Sequence, residues 1–456
     1  MSQPRIFTKS NLVYIPLSVT IAHTLNFIFN SPLSTWQEFP PKLPTSVYSS
    51  IFFTPLLLFL SLSFEPIQTR RRLYTLLSIA LIFISIPISF RGLYPPILHN
   101  AFVAYGALFG LKMFLFLKYN RSYLNQEGSN QKEEFNSLLW KIFNSRFNSY
   151  INPPKKEISN EKGNSLIITS PTTSQINKMI IYRTLITFTK CLILELAIFI
   201  SKRYTMVIPE KPYQLRLLEF FTKGIPAVTM LSILQYSNFL LCVYLMLSVY
   251  TYDIYTIISA TFYRLFLHSS SEEIYYKPIL IKSGLLTPSE YVSLKEWMIT
   301  LLFNTKHLFS EPWMASSPRD FWSARWQLMI NESFKELGFL PVKNVFAPFV
   351  PKKFANMMGV LGAFGVSALL HEYLIIGQFD LWTGEHTFFF MIHGVIFILW
   401  EAIFGRENKF ENSKTKRFLK WFLLLILNLS VLPAFIEPLR RRPEIFEIPS
   451  YFAKYY

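Results

Sequence analysis

Ser367-Ala368-Leu369-Leu370-His371-Glu372-Tyr373-Leu374 is the stretch that decides the reading of this chain. It lies inside residues 355–376, an apolar run that as a helix is long enough to cross ~30 Å of hydrocarbon. An ionisable side chain at that depth is costly, so His371 marks a functional site by default. Ala355, Gly359, Ala363, Ser367 and His371 recur every four residues and share one helix face. Small residues let a neighbouring backbone approach closely, or leave a narrow tunnel for an alkyl chain. Either way the stripe turns His371 toward the protein interior, where it satisfies a buried hydrogen bond or does chemistry. Glu372 follows directly and points about 100° away around the helix, so it is no obvious dyad partner. It is expected to pair with a basic residue or to lie near the lumenal interface.

Working outward, similar apolar runs recur at 11–30, 45–63, 73–90, 97–117, 179–201, 226–250, 386–403 and 418–437. Segment 251–267 is also apolar but carries Asp253 and Arg264. It reads as a further span, a re-entrant piece or an interfacial helix. The chain of 456 residues is 51% hydrophobic and holds 45 Phe, more apolar surface than a soluble domain buries. The runs are continuous rather than alternating, which excludes a β-barrel. The expected fold is all-α: a polytopic transmembrane bundle of about nine or ten spans, with an internal tunnel and cytosolic amphipathic helices. Its expected organisation is N-terminal spans in 1–117, a polar cytosolic loop in 118–178, central spans in 179–267, a second cytosolic loop in 268–354 and C-terminal spans in 355–456.

The two cysteines, Cys191 and Cys242, fall in apolar runs. They exclude a disulfide framework and cysteine-based zinc sites. The net charge of +17 fits cytoplasmic loops rich in Lys and Arg. It also suits anionic headgroups or an anionic substrate. No basic-aromatic module for nucleic acid is present. Arg5 and Lys9, Arg70 to Arg72, and the Lys-rich loop 118–178 all fall on one side, which should be the cytoplasm. Arg406, Lys409, Lys414, Lys416 and Arg417 agree, and the connection from Gly377 to Glu385 lacks Lys and Arg. Arg440, Arg441 and Arg442 disagree: either the last run, which holds Pro433, does not cross fully, or the charge rule fails there. Within the first loop Phe135, Leu138, Leu139, Ile142 and Phe143 predict a short amphipathic helix, on the membrane surface or packed on the bundle.

The second loop carries Ser316-Ser317-Pro318-Arg319-Asp320-Phe321-Trp322-Ser323-Ala324-Arg325-Trp326-Gln327. Ser317 reads as a helix N-cap, Pro318 as the first helical residue and Asp320 as the acidic residue of the first turn. The spacing predicts one amphipathic helix with Trp322, Trp326, Met329, Ile330 and Leu337 on one stripe and Asp320, Gln327 and Asn331 on another. Interfacial tryptophans, headgroup-binding arginines and a capping aspartate would each account for single residues here. Their density just before His371 points to a site. In the following span His386 lies near the mouth and should be solvated, and His393, before Gly394, could line the same cavity. His371, Glu372 and His393 are not spaced as a metal site.

Arg319-Asp320-Phe321-Trp322, the Ser367-Ala368-Leu369-Leu370-His371-Glu372 segment, and His393-Gly394 with Glu401 together resemble the wax synthase-like branch of the membrane-bound O-acyltransferase superfamily. The resemblance covers about residues 310–402. Gln327 stands where asparagine or histidine is more usual, and Ser323-Ala324 where glycine and arginine are common. The resemblance implies acyl transfer from acyl-CoA to the hydroxyl of a lipophilic alcohol, inside a tunnelled bundle in the endoplasmic reticulum membrane, with His371 catalytic. Gln327 would assist, and Asp320, Trp322, Arg325, Trp326, Arg319 and His393 would bind substrate. Acyl-CoA would be a co-substrate, and no cofactor or metal is implied.

The chemistry suits those residue types. A neutral imidazole within hydrogen-bond reach can take the alcohol's proton as it attacks the thioester carbonyl. The oxyanion needs a donor, either Gln327 or the indole N–H of Trp322 or Trp326. No nucleophilic serine or cysteine motif is evident, so direct transfer is expected. Arg319, Arg325, Lys352 and Lys353 could meet coenzyme A phosphates. Two other readings stay open. One is a transporter using His371, Lys190, Glu195 and Asp253, although no internal repeat is apparent. The other is a non-catalytic protein of the same fold. Membrane lipids are the surrounding partners, nucleic acid is not expected, and the sequence is silent on oligomeric state.

Overall fold

The computed structural model describes residues 11–36, 40–63, 67, 69–120, 171–204, 206–268, 279–284, 286–303, 307–405 and 413–442. Among these every regular element is helical. Among the described residues nine helices are long and apolar enough to cross a membrane. In chain order the main helices are α1 (Asn11–Asn30), α2 (Thr45–Ser63), α3 (Arg70–Ser89), α4 (Pro96–Asn120), α5 (Thr173–Arg203), α6 (Tyr213–Lys223), α7 (Met230–Leu267), α8 (Pro288–Phe303), α9 (Lys352–Phe379), α10 (Glu385–Phe404) and α11 (Lys414–Arg440). The spanning ones are all but α6 and α8, and they coincide with the nine runs read from the sequence. The proposed amphipathic helix at 135–143 lies outside the described residues, as do Arg5, Lys9, Arg406 and Lys409.

Two ambiguous segments are resolved. Residues 251–267 do not form a separate element; they continue α7, which runs 38 residues. Two π-helical stretches, Leu247–Asp253 and Tyr263–Leu267, keep it unbroken. Asp253 does not interrupt the span because it is paired: Lys190 Nζ lies 2.5 Å away and Arg183 Nη1 3.5 Å away. Lys190 also donates to Ser248 Oγ at 2.6 Å. At the other end of the chain α11 continues through Pro433 and Pro438 for 27 residues, about 40 Å of helix. Length therefore does not stop it from crossing. Arg440 lies over the Phe239 ring at 5.1 Å, and Arg441 forms ion pairs with Glu385 and Glu437. Those arginines are engaged within the protein.

The chain divides into two compact units. Residues 1–181 with 256–306 form the first. Its core is aromatic, with Tyr48, Phe52, Phe59, Phe83 and Phe116 buried together and Phe52 stacked on Phe102 at 4.3 Å. Residues 182–255 with 307–456 form the second. Here α9 packs along α10, α11 packs on α10, and the short helical turns Lys335–Phe339 and Leu340–Phe346 cross α9. Every candidate residue lies in this second unit.

Candidate active site

The Asp-Phe-Trp segment starts as the sequence predicts and then departs from it. Ser317 Oγ accepts from the Asp320 backbone N–H at 3.1 Å, the expected cap. The helix does not continue to Leu337. Asp320–Arg325 is one π-helical turn closed by Trp326 N–H donating to Phe321 O at 2.9 Å. The chain then extends at Trp326, and Gln327 takes φ 42, a left-handed conformation uncommon for a residue with a side chain. Two interactions outweigh helix continuation. Ser310 N–H donates to Arg325 O at 2.9 Å and Leu328 N–H to Leu308 O at 3.0 Å, pairing the exit strand of chain with residues 308–310. Arg325 Nε donates to Asp320 Oδ2 at 2.8 Å, and its Nη1 reaches the carbonyls of Ser310 and Glu311. Asn331 then clamps the turn by donating to Trp322 O and Ser323 O.

This break separates residues that one helix would have aligned. Trp322 faces the histidine-bearing helices, 5.2 Å from His393 and 5.9 Å from Phe390 by ring centroids. Trp326 stacks instead on Phe321 at 5.5 Å and tilts against Phe309 at 4.9 Å. The single stripe of Trp322, Trp326 and Leu337 is therefore not formed. The amide of half-buried Gln327 makes no hydrogen bond among the described residues. Arg319 Nε donates to Glu401 Oε1 at 2.5 Å and its guanidinium lies over Phe397, so Arg319 joins the segment to α10.

The small residues of α9 serve close packing. A Cβ added to Gly338 would meet Gly362 O at 2.5 Å, and one added to Gly359 would meet the Phe339 ring at 2.9 Å. The short Lys335–Phe346 turns therefore lie directly against α9 at its small-residue face. That contact sets the depth at which the chain following the Asp-Phe-Trp turn crosses toward α9.

His371 is half-buried in an aromatic cage. Its ring stacks on Phe390 at 4.4 Å and meets Phe435 and His386 edge-on, each at 5.5 Å. Its imidazole makes no hydrogen bond among the described residues. The two flanking histidines differ. His393 is buried; its Nδ1 donates to Phe389 O at 2.8 Å and its Nε2 lies 3.3 Å from the Asn428 amide. His386 is 2% exposed, correcting the expectation of a solvated residue. The aromatic packing of α10 on α11 encloses it: its ring stacks on Phe435 at 4.9 Å, and Nε2 donates to Phe435 O at 2.9 Å. Its Nδ1 has no hydrogen-bond partner among the described residues.

Charged groups beside this cage are committed to structure. Buried Glu372 accepts from the backbone N–H and the hydroxyl of Thr387, at 2.9 and 3.0 Å. It thus caps the N-terminus of α10, where a negative charge meets unpaired N–H groups, rather than pairing with a basic residue. Glu385 accepts from the first N–H of α6, Tyr213 N, at 2.7 Å and from Arg441. Glu437 accepts from Arg216 Nη2 at 2.5 and 2.6 Å and from the Tyr236 hydroxyl at 2.8 Å. Burial pushes the Tyr213 phenol above its ordinary pKa, and its hydroxyl donates to Ser430 O. A separate cluster joins His307 to Arg183 at 2.7 Å and to the Tyr252 hydroxyl at 2.6 Å.

Phe390 lies between Trp322 and His371, and Trp322 in turn meets His393; Asp320, Arg325 and Trp326 form a neighbouring group, and Arg319 bridges to Glu401. The sequence reading missed His386, Phe390, Phe435 and Asn428. Nothing in the sequence marked His386, because the residue that covers it, Phe435, lies on another helix.

Residues 305–392 match the model of the membrane bound O-acyl transferase family. The chain is 37% identical over 94 residues to the probable long-chain-alcohol O-fatty-acyltransferase 1 of Arabidopsis thaliana, covering 20% of this chain and 27% of that relative. It is 36% identical over 90 residues to the long-chain-alcohol O-fatty-acyltransferase of Simmondsia chinensis, covering 19% of this chain and 25% of that relative. The matched stretch thus spans about a quarter of these relatives' length. The resemblance to the wax synthase-like branch rests on this stretch, which holds the Asp-Phe-Trp turn, Gln327, His371 and His386.

Proposed function

We propose that this chain is an acyl-CoA-dependent O-acyltransferase that esterifies a lipophilic alcohol, with His371 as general base and no acyl-enzyme. The observation that carries the reading is His371 itself. Its imidazole, free of hydrogen bonds among the described residues, sits in an aromatic cage that Trp322 of the Asp-Phe-Trp turn helps to build. Aromatic walls accommodate an alkyl chain and exclude water, while the imidazole nitrogen remains able to accept a proton.

In the proposed step the alcohol oxygen attacks the thioester carbonyl as its proton passes to His371. The new C–O bond forms, the oxyanion collapses, and the C–S bond breaks. The thiolate of coenzyme A leaves and recovers the proton from the imidazolium. A donor must meet the oxyanion. Trp322 is better placed for this than Trp326, because its ring lies against Phe390 while that of Trp326 is stacked elsewhere. The Gln327 amide is the second candidate. For the coenzyme A phosphates Lys352 and Lys353 are the stronger candidates: both are exposed at the start of α9, whereas Arg319 and Arg325 already hold Glu401 and Asp320. His393 and Asp320 act by holding neighbouring groups, Asn428 and Arg325 respectively. A membrane of the endoplasmic reticulum is the proposed site of action.

The test is thiol release by purified protein offered acetyl-CoA or palmitoyl-CoA with a panel of alcohols, the esters identified by mass spectrometry. The expected result is ester formation by the parent and none by His371→Ala. Equal ester formation by both would remove His371 as the base. Folded parent protein without turnover on any pair would remove the enzyme reading. The transporter reading has less support, since Lys190 and Asp253 pair with each other.

A further inference from the structure

We propose that His386 is the positioning partner of His371. Its Nδ1 accepts an N–H from the His371 imidazole and so fixes the tautomer whose other nitrogen takes the substrate's proton. The inference rests on the reading of His371 as the base, and it names a residue outside the motifs that carry the family resemblance.

A backbone carbonyl can only accept, so the bond from His386 Nε2 to Phe435 O at 2.9 Å places the hydrogen on Nε2. Nδ1 of the neutral ring then carries a lone pair. That lone pair is buried and has no donor among the described residues, a costly arrangement unless a partner completes it. The His371 backbone carbonyl faces the ring as a competing acceptor for a hydrogen on Nδ1, but it does not reach hydrogen-bond geometry with that nitrogen, so the hydrogen stays on Nε2, where Phe435 O accepts it. What the lone pair needs is an N–H or O–H. Glu372 cannot supply one as a carboxylate and already accepts from Thr387. His393 is engaged with Phe389 O and the Asn428 amide. The His371 imidazole remains, 5.5 Å away by ring centroids and at 76° to the His386 plane. Two imidazoles joined by an N–H···N bond of about 3 Å have centroids roughly 5 Å apart, so a small rotation of His371 closes it. Phe435 stacks parallel to His386 and holds the accepting ring in place while His371 turns.

The pairing answers a need of the proposed chemistry. A base acts well only when its orientation and tautomer are fixed, as a second group fixes the histidine of a catalytic triad. Here the usual carboxylate is absent from that role, because Glu372 caps α10. A second neutral imidazole does the same work without burying another charge.

Two substitutions separate positioning from packing. His386→Phe keeps an aromatic ring against Phe435 but removes Nδ1. His386→Gln keeps an amide N–H for Phe435 O and a carbonyl oxygen for His371. With full-length purified protein, His386→Phe should lower kcat about 100-fold and leave KM for acyl-CoA and alcohol within about twofold. His386→Gln should recover most of that loss. Equal kcat in His386→Phe and parent, or equal loss in both variants accompanied by a rise in KM, would overturn the proposal. The bond itself is read without turnover from 15N spectra of histidine-labelled parent protein. His371 and His386 should each show one tautomer and share an N–H···N coupling, and tautomeric averaging at both rings would refute the pairing even if His371→Ala is inactive. A parent that makes no ester removes the base reading alone, and the spectra still decide the pairing.

Discussion

A buried polar cluster and a half-buried imidazole lie close together in the second unit and are built on opposite plans. Around Glu385 and Glu437, Arg216 and the Tyr213 backbone of α6, Tyr236 of α7, and Arg441 just after α11 donate to the two carboxylates. Around His371, aromatic rings supply the walls and no hydrogen bond is made to its imidazole among the described residues. Burial costs free energy in both places, and only the first cluster recovers it by pairing. Saturated charge therefore fixes where α6, α10 and α11 meet, while the imidazole of His371 is left without a hydrogen bond among the described residues.

The largest test of that contrast is His371→Ala. Ester formation should fall by about 10²–10⁴-fold, while the thermal unfolding midpoint in detergent stays close to that of the parent. A large loss of stability would place His371 with the structural cluster instead. Glu437→Ala should do the reverse by leaving Arg216 buried without its partner, a destabilisation of about 3–5 kcal/mol, measurable by denaturant titration in detergent. A variant as stable as the parent would show that the ion pairs only fill space. Gly338→Ala probes the crossing on α9. Its methyl group would meet backbone rather than a movable side chain, so a cost of about 1–3 kcal/mol is expected. The smallest effect is at Gln327. Gln327→Gly should leave stability nearly unchanged, whereas Gln327→Val should cost about 1 kcal/mol, since a β-branched residue tolerates φ 42 poorly. Comparable stability of the two variants would argue that the backbone at 327 adapts, and that its conformation is not imposed by the pairing of 308–310 with 325–328.

Period and length made the spans legible, because continuous apolar runs are what a bilayer demands of a helix. His371 was legible for the same reason, as the costly exception within a run. What the sequence hid was whatever depended on partners distant along the chain. Nothing in the order of residues near Trp326 says that residues 308–310 will capture the backbone and end the helix at Arg325, so Trp322 and Trp326 read as one stripe. Asp253 looked like a break in a span because Lys190, its partner, lies on another helix. His386 looked solvated because its place in the first turn of a run could not reveal that Phe435 would cover it. Arg441 looked like a violation of charge topology because its carboxylates sit at positions 385 and 437.

That last pairing bears on how the protein is made. Synthesis proceeds from the N-terminus, so Glu385 enters the membrane on α10 well before Arg441 leaves the ribosome. Until then one of the buried carboxylates at the meeting of α6, α10 and α11 lacks its cation. A chain ending before residue 441 would leave Glu385 with the Tyr213 N–H but without its cation.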